Sequence, residues 1–193
     1  MMMAWLRKNW LLGLFGVVYL TTHLITLEIS PLPWYDETYM ASIAKTYQEE
    51  GKLFAQVAWA HQNEYPSIYG PIFFVIASSY LKILGFGIWQ YRLVVVSAGL
   101  LVIWLSVRLF NQSHLGNKFS TLFWIALSLD PFFCRSMHEG RMDLWALLFL
   151  LASTHQFIAY IQSNYAWKHI LLSAFWLGTA MLTTPRSAFF GLT

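Results

Sequence analysis

The sequence predicts an all-α polytopic membrane protein, with about five transmembrane helices plus interfacial juxtamembrane helices in a long first external loop. Three observations carry this. Apolar residues make up 58% of the 193 residues and aromatics 18%, more apolar side chain than a soluble domain of this size can bury. Several stretches approach the roughly 20 mostly apolar residues that a hydrocarbon core of about 30 Å requires of a helix. Charged residues are scarce, at 11%, and gather at the breaks between apolar runs.

Taken in order, Arg7 and Lys8 precede an apolar run over residues 10–29, the order of a cytoplasmic start followed by an outward crossing. No small-x-small cleavage site follows, so the run reads as an uncleaved signal anchor. His23, inside it, reads as a hydrogen-bonded helix residue. Ser30-Pro31-Leu32-Pro33 ends the span, because proline removes a donor and restricts the residue before it. Residues 30–90 form the predicted external loop. Within it, Met40, Ile43, Ala44 and Tyr47 recur at helical spacing up to Gly51, which predicts an amphipathic interfacial helix over 36–50 with Lys45 and Glu49 on its polar face. Residues 52–67 read as surface loop. Residues 68–84 hold only ten uncharged residues between Pro71 and Lys82, which favours a re-entrant or interfacial segment over a crossing one.

Further spans are expected at 91–110, 119–135, 144–163 and 168–184, with polar turns at 111–118 and 164–168 between them. Residues 187–193 start another apolar run, so the chain reads as the amino-terminal part of a longer protein. Asp130-Pro131 is expected to terminate a helix. If 68–84 do not cross, Arg7, Lys8, Arg108, Lys118 and Lys168 lie inside and the other seven Lys/Arg outside. If they do cross, the count is seven inside against five outside, so the simple charge rule opposes the preferred topology. The non-crossing arrangement is preferred because it leaves the inner turns without acids. It also gathers Asp36, Glu37, Arg135, Arg141, Asp143 and Arg186 on one side, where costly charges can share a water-lined pocket.

Two charged knots stand out. The first is Trp34-Tyr35-Asp36-Glu37-Thr38-Tyr39, just after the first span. The second is Arg135-Ser136-Met137-His138-Glu139-Gly140-Arg141-Met142-Asp143, at the break before the run that starts at 144. The two are expected to meet on one face of the membrane. Asp36 at the head of a helix is a favoured N-cap, with Glu37 supporting the positive helix end. Capping does not exclude service as a general base. Asp143 likewise reads as a cap or as a site carboxylate. Arg135 and Arg141 offer forked donors suited to phosphate, or serve as snorkelling interfacial residues. Asp36, Asp143, His138 and Glu139 are candidate ligands of a divalent cation, without diagnostic spacing.

Other classes find little support. One cysteine, Cys134, rules out an internal disulfide framework. A net charge of +3 without a basic tract speaks against nucleic acid. P-loop, dinucleotide-fingerprint, zinc-protease and nucleophile-elbow motifs are absent. A transporter or lipid flippase with a charged path and a non-catalytic docking subunit are the rival readings.

Taken together, the acidic pair Asp36-Glu37, the segments Tyr65-Pro66-Ser67-Ile68-Tyr69-Gly70-Pro71 and Trp89-Gln90-Tyr91-Arg92, and then Arg141-Met142-Asp143 and Thr184-Pro185-Arg186 resemble the GT-C membrane glycosyltransferases. Specifically, they resemble the dolichyl-phosphate-mannose protein mannosyltransferase-like branch, which includes the bacterial aminoarabinose transferases. The resemblance implies inverting transfer of a sugar from a polyprenyl-phosphate donor to a protein, lipid or glycan acceptor on the outer face of the cell membrane. It implies Asp36 as general base, with Glu37 and Asp143 in the catalytic set. It also implies Arg141 and Arg186, with Arg135 or Lys52 as further candidates, at the donor phosphate. Some relatives carry a Glu-Lys pair where this chain has Tyr69-Gly70, and members are usually considerably longer.

Overall fold

The computed structural model describes residues 10–55, 69–112 and 116–191, and no strand occurs among them. The cationic flank at Arg7 and Lys8 and most of the loop expected over 52–67 lie outside the described residues. The helices are α1 (Trp10–Thr26), α2 (Tyr35–Glu50), α3 (Pro71–Leu84), α4 (Ile88–Gln112), α5 (Gly116–Leu129), α6 (Pro131–His138), α7 (Asp143–Gln162) and α8 (Trp167–Met181). A 3-10 turn (Pro185–Ser187) leads into the short α9 (Ala188–Gly191).

Among the described residues two helices, α4 and α7, are long and apolar enough to cross a membrane by themselves, at 25 and 20 residues. They are fewer than the five spans expected. At 17 residues α1 falls just short, and α8 has 15. The expected span over 119–135 is two helices. Pro131 cannot donate to the helix before it, so α5 stops at Leu129. Asp130 then caps α6 by accepting the Phe133 backbone N–H at 2.7 Å.

The core is a stack on α4. Its Val94, Val95, Val96, Ala98 and Val102 are buried against α3, α6 and α7. The α7–α8 hairpin is antiparallel. Phe149 stacks on Trp176, Ser153 exchanges hydrogen bonds with Ser173 in both directions, and His169 bonds Gln156. Extending that register sets Asp143 level with Leu182. α4 and α7 run parallel, with the Trp145 indole N–H donating to Val94 O at 3.1 Å. The carboxy-terminal end of α1 meets the start of α4, where the Trp89 indole N–H donates to Leu24 O at 3.0 Å. The segments 27–37, 85–92, 135–143 and 182–187 therefore share one end of the bundle.

That geometry also places α3. Gly70 N–H donates to Thr183 O at 3.2 Å and Ile72 N–H to Leu182 O at 3.3 Å, so the start of α3 sits at this end. Its other end turns through Gly85, at φ +85°, directly into α4, which begins at the same end. At 14 residues α3 spans about 21 Å, short of a bilayer core, and both of its ends are held on one side. Gly70 is needed where it is, because a Cβ there would collide with the Leu182 carbonyl oxygen.

Candidate functional site

The first knot opens α2. Trp34, with extended backbone, is the capping residue, and Asp36 and Glu37 fall in the first turn. The expected N-cap role of Asp36 is therefore corrected: the helix starts one residue earlier, and no side chain caps it. The amphipathic pattern holds, with Met40, Ile43 and Ala44 buried and Lys45 paired with Glu49 at 3.8 Å.

Adjacent residues of a helix point about 100° apart, and here the two acids meet opposite environments. Glu37 is fully enclosed and held by a fork. Arg92 Nε donates to Glu37 Oε1 at 2.6 Å and Nη2 to Oε2 at 2.7 Å. The remaining Arg92 terminal nitrogen donates to Leu27 O at 2.6 Å, and the Gly140 backbone N–H donates to Glu37 Oε1 at 3.2 Å. Both side chains are 0% exposed. Glu37 was expected in the catalytic set, but its oxygens are taken up by the protein and no face is open to a substrate. It instead ties α1, α2, α4 and the loop before α7 together. Asp36 is half-buried and has no ion-pair or hydrogen-bond partner among the described residues.

The second knot folds against the first through Gly140. A Cβ at 140 would strike the Tyr91 ring and approach Glu37 Oε1 to 2.9 Å, so the chain passes closely only as glycine. Asp143 lies in the first turn of α7, where the helix dipole favours a carboxylate. The capping position is Met142. Arg141 Nε stands 2.9 Å from Asp143 Oδ2, an ion pair without the alignment of a hydrogen bond. Its guanidinium centre lies 5.4 Å from the centroid of the Trp34 ring. Arg135 is on α6. It is mostly exposed and pairs with Glu139 one turn away.

A cavity of about 380 Å³ opens where the two knots meet, with Trp34 on one wall and Arg135, Glu139 and Arg141 on the other. Leu32 and Phe132, also in its lining, are 81% and 79% exposed, which gives it an apolar lip. Asp36, Asp143 and Arg186 do not line it. Arg186 is exposed on the 3-10 turn after α8, at the same end of the bundle by the α7–α8 register.

The four candidate cation ligands are not gathered. Among the described residues no three His, Cys, Asp or Glu side chains converge as a metal shell. Glu139 pairs with Arg135 and Asp143 with Arg141. His138 turns inward, with Nδ1 2.7 Å from Ser30 O and Nε2 2.6 Å from Nδ1 of His23. A carbonyl only accepts, so His138 Nδ1 carries a proton there, and in the neutral ring Nε2 is then the acceptor toward His23 Nδ1. His23 is the hydrogen-bonded helix residue the sequence suggested.

Two residues of this site escaped the sequence reading. The signal for Arg92 is a cation at the head of an apolar run, which implies a partnered acid. Trp34 carries no such signal beyond its place beside the acids.

Solved structures of ArnT from Cupriavidus metallidurans share the fold. The one bound to undecaprenyl phosphate superposes with a TM-score of 0.69 at 22% identity over 92% of this chain and 32% of that one. The apo form gives 0.71 at 20% identity, over 92% and 33%. This chain thus spans about a third of the length of those structures. No curated protein matches the sequence significantly. The sequence matches the family described as dolichyl-phosphate-mannose-protein mannosyltransferase over residues 68–193. This all-α polytopic membrane protein belongs to the dolichyl-phosphate-mannose-protein mannosyltransferase family.

Proposed function

We propose that this chain carries part of a membrane glycosyltransferase that moves a sugar from a polyprenyl-phosphate donor to an acceptor at the outer face of the membrane, with inversion. The observation that supports this most directly is the cavity between the two knots. It has arginine donors in its wall, is apolar at its lip, and is placed at the end of the bundle that holds Asp36, Asp143 and Arg186. A lipid phosphate needs that combination, an oily entrance for the chain and fixed donors for the charge. The structure of ArnT bound to undecaprenyl phosphate supports such a donor in a protein of the same fold.

In this reading Asp36 is the general base that takes the proton from the acceptor hydroxyl or amine. Its freedom from protein partners suits that task, whereas Glu37 is committed to Arg92. As the bond from the sugar to the phosphate oxygen breaks, negative charge grows on the leaving lipid phosphate. Arg141, with Arg135 and Arg186 nearer the surface, supplies preorganised donors for it. Asp143 holds Arg141 in place through its ion pair.

Asp36→Asn tests the assignment. General bases typically contribute about 10² to 10⁴ in rate. Transfer of labelled sugar in membranes carrying the variant should fall by that factor, while binding of the polyprenyl phosphate is kept. Near-wild-type transfer by Asp36→Asn would remove Asp36 from the reaction.

A further inference from the structure

Two buried N–H groups in the cavity wall have nothing to donate to. Trp34 Nε1 and Arg141 Nε are both shielded and without an acceptor, and both residues line the cavity. A polar group left so costs about 1–3 kcal/mol, and native folds rarely leave two together. Five buried side-chain polar atoms are unpartnered among the described residues, and only these two belong to residues lining that cavity. Arg141 cannot relieve itself on Asp143, because the 2.9 Å approach is off-axis. Nor does it lean away from Trp34, since its guanidinium lies against that ring. The cavity exceeds by about tenfold the share of liquid volume taken by one water, about 30 Å³. Arg135 is paired with Glu139 and Arg141 with Asp143, so what the cavity offers an anion is unpartnered N–H donors rather than net charge.

We propose that Trp34 Nε1–H and Arg141 Nε–H converge on the phosphoryl group that the donor and its leaving lipid share, making Trp34 a substrate-binding residue. The proposal rests on the placement of the donor phosphate at Arg141 given above and adds a second, neutral donor to it. Trp34 then serves twice. Its ring face supports the guanidinium, and its ring edge binds the anion. The arrangement also couples the site to the base, because Trp34 is the capping residue of the helix whose first turn carries Asp36.

Trp34→Phe keeps an aromatic ring beside Arg141 but loses the N–H together with part of the indole. Binding of undecaprenyl phosphate to the detergent-purified protein, measured by titration calorimetry, should weaken about 10- to 100-fold, as expected for losing a hydrogen bond to a charged group. The melting temperature should hold, which separates lost binding from lost folding. Arg141→Lys, which keeps the charge but not the forked donor, should weaken binding as well. In the double variant the two losses should fall short of additive, since both donors serve one group. Undiminished binding by Trp34→Phe together with a loss in Arg141→Lys would overturn the role of Trp34 and leave the arginine reading intact. Undiminished binding by both would overturn the two together. Equal affinity of the wild type for phosphatidic acid, with the same dependence on Trp34, would move the site from the donor to an ordinary phospholipid headgroup and overturn the proposal.

Discussion

The buried fork between Glu37 and Arg92 is the contact on which the site depends, and its energetics can be worked from the structure. Both side chains are 0% exposed, and four donor–acceptor contacts run through them to Leu27 and Gly140. Arg92→Met would leave the Glu37 carboxylate enclosed with only the Gly140 N–H. Removing one partner of a buried pair typically costs about 3–5 kcal/mol, because the remaining charge is uncompensated. For a chain of this size roughly 2–4 °C of melting temperature corresponds to each kcal/mol, so the loss should be about 6–20 °C. Adding Glu37→Gln to Arg92→Met removes the stranded charge, and the double variant should melt higher than Arg92→Met alone. Tryptophan fluorescence of the detergent-purified protein during a thermal ramp reads all three. Lys45→Ala provides the comparator: its pair with Glu49 is 3.8 Å long and about half exposed, and is worth at most about 1 kcal/mol. If Arg92→Met shifts melting no more than Lys45→Ala, and adding Glu37→Gln lowers it further, the fork does not hold the loops together.

Three other outcomes follow from the geometry. Gly140→Ala should destabilise by about 1–3 kcal/mol and depress transfer, because its methyl group meets Tyr91 and crowds Glu37 Oε1; a melting curve beside a transfer assay checks both. Asp130→Ala removes the cap of α6 and should cost about 0.5–2 kcal/mol, with Asp130→Asn close to wild type in the same melt. Single cysteines placed at 36, 143 and 186 in a Cys134→Ser background should label with a membrane-impermeant maleimide from one side, and a cysteine at 168 from the other. Labelling of 36 and 143 from opposite sides would dismantle the shared site.

The sequence by itself determined the helical membrane class, the break at Pro31 and Pro33, the amphipathic helix after it, and the short reach of 68–84. Each follows from local chemistry: missing donors, apolar spacing, and run length against bilayer thickness. The convergence of the charged knots was legible too, because few charges exist and each is costly in an apolar setting. The sequence could not divide labour between Asp36 and Glu37. As neighbours in the chain they are chemically alike, and only the azimuth of α2 turns one toward Arg92 and leaves the other without a partner. Nor could it turn His138 toward His23, 115 residues away in sequence. Those decisions belong to the tertiary structure, because which face a helix buries, and what waits there, depends on packing between segments far apart in the chain.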